Sequence, residues 1–299
     1  MVVAAALAVA GAVVAAGCGE DARDEGPFAY DRSVPLDARD GGVVHEAAGL
    51  VVRDVSFVTP AGRVEGLLVA PKGARGLPAA VYVHGAGGDR TSMLAAASSL
   101  AARRAVALTL TQPSTAATAT GSDARERLRI YRDVTVADVL AVRRAIDFLE
   151  TRPEVDPARI GYLGWSAGAR TGALLSGVDE RLRGLVLLSG GSATVRAYVD
   201  AASDELRGEV ERVLTEIDPL HWVARAKPDR LLLQNGEQDE VVPREALDAL
   251  ADAAPEGTDV RWYPAGHALD ADAYTEHLDW LAERLGIEGP PVVGTANAP

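Results

Sequence analysis

The chain of 299 residues is long enough for one large domain or two of ordinary size. Its 48% hydrophobic and 24% charged content is typical of a globular protein, and with only 5% aromatic residues the core must consist mainly of Ala, Val and Leu. The net charge of -13 repels phosphate backbones, so nucleic acid is not expected as a partner.

An apolar stretch opens the chain and runs to its single cysteine, Cys18. The stretch is too short and too rich in Ala and Gly for a membrane span, which favours a secretory signal peptide at residues 1–17. Cys18 follows Ala15-Ala16-Gly17, a pattern that resembles the lipobox of bacterial lipoproteins, although Ala15 stands where leucine is more usual. The resemblance implies lipid attachment at Cys18 and export to the outer face of a bacterial cell membrane. The alternative is an ordinary signal peptide with an incidental cysteine.

The next segment, residues 18–42, is charged, contains Gly and Pro and has no hydrophobic periodicity. Such a composition buries too little apolar surface to fold, so the segment is predicted to be a flexible tether. A single domain is expected over residues 43–287, followed by a disordered tail at 288–299. A chain with one cysteine cannot form an internal disulfide.

The middle of the chain alternates short β-rich runs with helical patterns, which predicts a mostly parallel α/β sheet with helices on both faces. The first two predicted strands flank the turn-rich stretch 59–62 and are expected to form an antiparallel hairpin. The later ones are almost wholly apolar, as expected for strands covered on both faces. The eight predicted strands are Val52–Val58, Val64–Val69, Ala79–Val83, Ala105–Thr111, Arg159–Leu163, Leu185–Leu188, Arg230–Gln234 and Val260–Tyr263.

A long amphipathic helix is predicted over Ala124–Glu150, where apolar residues recur at spacings of three and four. Pro153 marks its end, because proline disfavours helix at the residue before it. The small polar stretch Gln112–Gly121 is expected to be a loop, and residues 189–223 are expected to form at most a small cap. The other predicted helices are Ala167–Ser176, Asp204–Thr215, Arg244–Ala253 and Ala271–Leu285.

Ser166 lies between Gly164 and Gly168, at the turn from a predicted strand to a predicted helix. The motif G-x-S-x-G is short, so its context has to decide its meaning. A sharp turn at this point requires small residues two before and two after the serine, and it directs the hydroxyl outward at the carboxyl end of the sheet. The context therefore predicts that Ser166 is a nucleophile.

A serine nucleophile needs a base, and the chain offers five histidines. His267 follows the last predicted strand and precedes the last predicted helix, so its loop opens onto the same sheet edge as Ser166. It is the predicted base. His45 precedes the first strand, His277 is expected on the surface of a helix, and His221 remains a candidate for lining the site.

The predicted acid lies in the loop that follows the strand ending at Gln234. Here a buried strand passes into a turn at Gly236 and then reaches Asp239. We expect Asp239 to orient the base. Glu237 and Glu240 are nearby competitors.

Backbone amides are also needed to bind the oxyanion of a tetrahedral intermediate. One predicted donor is the amide of Ala167, directly after the nucleophile. The other is the amide of Ala86 in the glycine-rich loop 84–88, with Gly85 and Gly87 as alternatives. His84 is expected to brace this loop by hydrogen bonds.

From about residue 52 to residue 285 the chain resembles an α/β-hydrolase of the dienelactone hydrolase and prolyl-oligopeptidase-like group. The resemblance rests on HGAGG at 84–88, GWSAG at 164–168, the 236–239 loop, Gly266-His267 and the lead-in at 147–161. The order Ser166, Asp239, His267 is also that of the α/β-hydrolases. The nucleophile is serine where true dienelactone hydrolases have cysteine.

The resemblance implies a Ser–His–Asp hydrolase that needs no cofactor, and we expect it to cleave carboxylic esters through an acyl-enzyme. Small esters, acylated sugars and thioesters all remain open as substrates. His84 and Asp89 lack a third ligand at a suitable spacing, so no metal site is expected. Trp165 is equally a candidate for substrate contact or for core packing. Two alternatives remain, namely a peptidase or amidase with the same triad and a non-catalytic surface-binding protein with the same fold.

Overall fold

The computed structural model describes residues 25–116 and 123–288, and within them nine strands form one sheet. Eight of the nine correspond to the predicted strands, and β1 is additional. Nearly every residue of β1 is exposed, so its sequence lacks the hydrophobic alternation that identifies a half-buried strand. The strands are β1 (Arg39–Ala47), β2 (Leu50–Thr59), β3 (Gly62–Pro71), β4 (Leu77–Val83), β5 (Val106–Leu110), β6 (Val155–Trp165), β7 (Leu182–Leu188), β8 (Leu231–Gly236) and β9 (Asp259–Tyr263).

The sheet is mostly parallel and has the strand order β1-β2-β3-β5-β4-β6-β7-β8-β9. Strands β4 to β9 pair in parallel, whereas β1, β2 and β3 form an antiparallel meander that joins β5. The predicted hairpin is confirmed, since Thr59 pairs with Gly62 at the turn between β2 and β3. The carboxyl ends of β4, β6, β7, β8 and β9 consequently meet at one edge of the sheet.

The helices of the described residues include all those predicted, with small shifts at their ends. The side chain of Asp123 accepts a hydrogen bond from the Glu126 amide and caps the long helix α3. Helix α2 lies within the stretch that was expected to be a loop. The helices are α1 (Leu94–Ala102), α2 (Pro113–Ala116), α3 (Ala124–Glu150), α4 (Ala167–Ser176), α5 (Val195–Ala201), α6 (Arg207–Glu216), α7 (Pro219–Val223), α8 (Arg244–Ala253) and α9 (Ala271–Arg284).

Two hydrophobic cores lie on opposite faces of the sheet, and strand β4 contributes alternately to both. Val81 and Val83 belong to the core that contains residues of α3 and α4. Ala80 and Tyr82 belong to the other core, which contains residues of α1 and α9. Covering both faces explains why the parallel strands are almost continuously apolar.

The expected tether at residues 18–42 is packed against the domain from residue 25 onward. Phe28 is fully buried, and its ring meets that of Trp222 edge-on at 5.3 Å between centroids. The guanidinium of Arg143 donates to the Phe28 carbonyl oxygen at 2.8 Å. A flexible tether is therefore the wrong description of residues 25–42. This packing could not be predicted from the sequence, because the residues that contact Phe28 lie more than a hundred positions away in the chain.

The segment between β7 and β8 carries the helices α5, α6 and α7, in agreement with the expected small cap. Helix α6 is tied to α3 by an ion pair between Arg132 and Glu216 at 2.8 Å. None of the helices within the described residues has the length and apolar character required to cross a membrane.

Candidate active site

Ser166 occupies the sharp turn between β6 and α4 in a conformation that is rare for a residue other than glycine. Its φ and ψ angles are 56° and -111°. A Cβ atom at position 164 would lie 2.4 Å from the Gly168 carbonyl oxygen, and one at position 168 would lie 2.4 Å from that of Val83. Both glycines are therefore required for the turn that presents the Ser166 hydroxyl.

His267 connects Ser166 with Asp239 by two hydrogen bonds. Its Nε2 lies 3.0 Å from the Ser166 Oγ, and its Nδ1 lies 2.8 Å from the Asp239 Oδ2. Because a carboxylate only accepts hydrogen bonds, the Nδ1 carries the proton and the Nε2 is free to accept that of the serine. The structure thus brings together the three residues singled out in the sequence, each from a loop at the carboxyl edge of the sheet.

Asp239 is held in place by its own loop. Its side chain is 1% exposed, and its second oxygen, Oδ1, accepts hydrogen bonds from the amides of Val241 at 2.8 Å and Val242 at 2.9 Å. The competing acids Glu237 and Glu240 are exposed. Asp239 is therefore the acid that contacts the imidazole.

The glycine-rich loop after β4 lies directly against Ser166. A Cβ atom at Gly85 would stand 3.3 Å from the Ser166 Cβ. The Gly85 carbonyl oxygen accepts hydrogen bonds from the His84 Nδ1 at 2.6 Å and the Gly88 amide at 3.1 Å. Because the peptide bond is trans, the Ala86 N–H of the same peptide unit points away from those donors.

Ala167 supplies the second amide at this point as the first residue of α4, where a helical N–H has no partner within its own helix. Within the described residues, neither the Ala86 amide nor the Ala167 amide donates a hydrogen bond to a backbone oxygen. Neither amide is therefore engaged by a backbone acceptor among the described residues.

His84 fastens the glycine-rich loop through both of its ring nitrogens. Its Nε2 accepts a hydrogen bond from the Gln112 amide at 3.2 Å, which leaves Nδ1 as the donor to Gly85. Burial lowers the pKa of His84, which favours this neutral form. These bonds agree with the bracing role expected for His84.

Solved structures with the same architecture include three esterases. An acetyl xylan esterase from a Paenibacillus species has a TM-score of 0.70 and 21% sequence identity, over 83% of this chain and 89% of that one. An acetyl xylan esterase from a Thermoanaerobacterium species has a TM-score of 0.69 and 20% identity, over 85% of this chain and 89% of its own. A glucuronoyl esterase from Solibacter usitatus has a TM-score of 0.60 and 12% identity, over 86% of this chain and 88% of its own.

The fold is that of the α/β-hydrolases. No protein-family model matches the sequence, and no curated protein matches it. At identities of about one residue in five, the likeness to the two acetyl xylan esterases concerns the fold.

Trp165, the last residue of β6, directly precedes Ser166 and contacts the neighbouring loops. Its indole Nε1 donates to the His267 carbonyl oxygen at 3.1 Å, and its ring lies 5.2 Å from the imidazole between centroids. A Cβ atom at Gly85 would stand 2.9 Å from the indole ring. Trp165 is therefore in contact with two of the loops that form the site.

His277 was expected on the surface, and this prediction is wrong. Its side chain is buried on α9, with Nδ1 hydrogen-bonded to the Gln234 Oε1 at 3.1 Å. Burial lowers the pKa of His277 to about 3. His45 and His221 are exposed, on β1 and α7 respectively, and His221 contacts the ring of Trp222.

One residue that contacts the site, Ser189, was not predicted from the sequence. It directly follows β7, is fully buried, and donates from its Oγ to the His267 carbonyl oxygen at 2.9 Å. In the sequence, only its position directly after the predicted strand Leu185–Leu188 indicated that Ser189 would lie at the carboxyl edge of the sheet.

Two further predictions concern a metal and a lipid. Within residues 25–116 and 123–288, no cluster of three or more His, Cys, Asp or Glu side chains is arranged to hold a metal ion. Cys18 lies outside the described residues, as does the stretch expected to be a disordered tail from residue 289 onward.

Proposed function

We propose that this protein is a serine hydrolase that cleaves carboxylic esters, with Ser166, His267 and Asp239 as its catalytic triad. The observation that carries the proposal is the unbroken hydrogen-bond chain from the Ser166 Oγ through the imidazole to the Asp239 carboxylate. The chain reaches the carboxyl edge of the sheet, where α/β folds bind their ligands.

In the first half of the reaction, the Ser166 Oγ attacks the ester carbonyl carbon while its proton passes to the His267 Nε2. The bond to the alcohol oxygen then breaks, and the imidazolium returns that proton to the departing alcohol. The acyl group stays on Ser166 as an ester. Asp239 keeps the proton of the neutral imidazole on Nδ1 and stabilises the imidazolium.

In the second half, water attacks the acyl-enzyme and gives one of its protons to the His267 Nε2. The tetrahedral intermediate collapses, the proton returns to the Ser166 Oγ, and the carboxylic acid leaves. In both halves the negative oxygen of the intermediate is bound by the amides of Ala86 and Ala167. One such donor is typically worth about 10²–10³ in turnover.

The substrate class is proposed to be small esters with a short acyl group. Two of the structures with this fold are acetyl xylan esterases, which supports an ester as the bond cleaved. The chain order Ser, Asp, His is also compatible with the dienelactone hydrolase and prolyl-oligopeptidase-like group, although true dienelactone hydrolases have cysteine as the nucleophile.

The proposal is tested with a fluorophosphonate probe and p-nitrophenyl esters of increasing acyl length, with p-nitroacetanilide as the amide counterpart of p-nitrophenyl acetate. We expect labelling, hydrolysis of the short esters and much slower amide cleavage. Ser166→Ala should not be labelled by the probe, and its turnover should fall by at least about 10⁴-fold. Ser176→Ala, which removes a buried hydroxyl elsewhere on α4, serves as the matched control and should leave both unchanged. Labelling of Ser166→Ala at another serine would overturn the assignment.

The location is part of the same proposal: export and a lipid on Cys18 at the outer face of the cell membrane. Its support is the apolar stretch that ends in Ala16-Gly17-Cys18. Radiolabelled palmitate should enter the wild type and not Cys18→Ser. Equal incorporation into both would remove the lipoprotein claim.

A further inference from the structure

The main-chain carbonyl of His267 receives two side-chain hydrogen bonds from different strands. The Trp165 Nε1, at the end of β6, donates to this oxygen at 3.1 Å, and the Ser189 Oγ, just after β7, donates at 2.9 Å. A carbonyl oxygen has two lone pairs, so both positions are occupied. The backbone of the proposed base is thus fixed from the centre of the sheet, independently of its ring contacts.

Ser189 has an unusual backbone conformation that places its hydroxyl at this point. Its φ angle is +49°, in the left-handed region that non-glycine residues seldom adopt. The Ser189 amide donates to the Gln234 carbonyl oxygen at 2.8 Å, and that of Ser166 donates to the carbonyl oxygen of Leu188, also at 2.8 Å. The turn after β7 is therefore tied both to the strand leading to Asp239 and to the nucleophile.

The loop that carries His267 needs such support because it has no regular secondary structure. Between β9 and α9 the Ala265 amide donates to the Tyr263 carbonyl oxygen at 2.7 Å, and the Ala265 carbonyl oxygen accepts from the Gln238 amide at 3.0 Å. The Leu269 amide donates to the Gly266 carbonyl oxygen at 3.1 Å, and none of these three bonds involves the backbone of His267 itself. Gly266, directly before His267, is exposed. A shift of this loop would move the imidazole relative to the Ser166 Oγ.

We propose that Ser189 and Trp165 are positioning residues, whose paired hydrogen bonds to the His267 carbonyl keep the imidazole aligned between Ser166 and Asp239. The inference rests on the proposed function, because it assigns a role in proton transfer by His267. It also gives Trp165 a function distinct from substrate contact. Misplacement of a catalytic group by about 1 Å can cost about 100-fold in rate.

The test uses variants that remove one donor at a time with little change in shape. Ser189→Ala removes the hydroxyl, and Ser189→Gly removes it while suiting the positive φ angle better. Trp165→Phe keeps an aromatic ring without the N–H. The matched controls are Ser176→Ala and Trp222→Phe, which remove comparable donations to the carbonyl oxygens of Ala173 and Glu216.

Turnover of p-nitrophenyl acetate is measured per active site titrated with the fluorophosphonate. We expect kcat to fall about tenfold in each single variant and about 100-fold in the double variant Trp165→Phe/Ser189→Ala. KM should stay within about twofold. The low-field NMR signal of the proton between His267 and Asp239 should weaken in the double variant and remain in the controls.

Three results would overturn the inference. The first is wild-type kcat in Ser189→Gly alongside a loss in Ser189→Ala, because the backbone conformation would then matter and not the hydroxyl. The second is a rise in KM at unchanged kcat in Trp165→Phe, which would indicate substrate contact. The third is an unchanged NMR signal and normal turnover per titrated site in the double variant. If the wild type itself neither labels nor hydrolyses esters, the proposed function fails, which is a separate outcome.

Discussion

The carboxylate of Asp138 on α3 accepts a hydrogen bond from the backbone amide of Ser114 on α2 at 2.9 Å. The next residue of α2, Thr115, donates from its Oγ1 to the Gly88 carbonyl oxygen at 3.0 Å. Helix α2 therefore links a buried acid on α3 to the glycine-rich loop beside the nucleophile. The bond between Asp138 and Ser114 lies outside the triad but supports the same edge of the sheet.

Asp138 should make the stability of the protein depend on pH between about 4 and 6. Burial raises its pKa from 3.8 to about 6, with Arg170 acting in the opposite direction. Since the folded state holds this proton more tightly than the unfolded chain, the stability it contributes is full below about pH 4 and is lost as the pH rises through about 6. The loss amounts to roughly 3 kcal/mol. The side chain of Asp138→Asn can still accept a hydrogen bond from the Ser114 amide but does not titrate. The variant should therefore lack the loss of stability that Asp138 causes as the pH rises.

Urea unfolding of the wild type and Asp138→Asn at about pH 5 and about pH 8 measures the part of this loss that falls between those two pH values, which is about 1.4 kcal/mol. Asp133→Asn, which changes an exposed carboxylate on the same helix, is the control and should follow the wild type. Parallel pH profiles for the wild type and Asp138→Asn would contradict the expectation.

His84 should affect turnover although it does not reach the reacting atoms. Removing its Nδ1–H leaves the Gly85 carbonyl with only the Gly88 amide as a donor among the described residues, and so weakens the hold on the peptide unit that carries the Ala86 amide. We expect His84→Ala to lower kcat for p-nitrophenyl acetate by about 10- to 100-fold. His84→Asn, whose side-chain amide can donate in place of Nδ1, should retain more activity.

The control for His84 is His45→Ala, because His45 is exposed on the edge strand β1. Folding of each variant is followed by urea unfolding, so that lost turnover is not confused with lost protein. Wild-type kcat in a folded His84→Ala protein would show that the loop keeps its conformation without the histidine.

A substitution at Phe28 should show whether the segment before β1, residues 25–38, contributes to the stability of the folded domain. Its ring is fully buried against Trp222, so Phe28→Ala should lower the free energy of unfolding by about 3–4 kcal/mol. Val34→Ala, at a side chain that is 51% exposed in the same segment, should change it by less than about 0.5 kcal/mol. Equal stability of both variants in urea would mean that the segment adds nothing to the domain.

The juxtaposition of Ser166, Asp239 and His267 was predictable because each follows a strand of a parallel sheet, and the carboxyl ends of such strands meet at one edge. The flanking glycines of Ser166 were a local signal of the same kind. A Cβ atom at either position would collide with a backbone oxygen, so the turn constrains the sequence directly. Local chemistry of this kind can be inferred from the sequence alone.

The features that were not predicted from the sequence depend on contacts with residues far away in the chain. The packing of Phe28 needs Arg143, and the buried position of His277 needs Gln234, 43 residues earlier. The role of Ser189 depends on a positive φ angle and on a carbonyl 78 residues away. A polar composition predicts solvent exposure on average. It cannot indicate that a particular charged or aromatic side chain is buried in contact with a distant residue.

His277 should cause a loss of stability in acid, opposite in sign to the effect of Asp138. Burial lowers the pKa of His277 from 6.5 to about 3, so the unfolded chain takes up a proton that the folded state resists. The stability due to the neutral ring is present above about pH 6.5 and falls as the pH decreases toward about 3, by about 3 kcal/mol between pH 7 and pH 4. His277→Asn can still donate to the Gln234 Oε1, and although less stable at pH 7 because of lost packing, it should lose less on acidification. An equally steep loss in His277→Asn, followed by urea unfolding across this range, would assign the acid sensitivity to other groups.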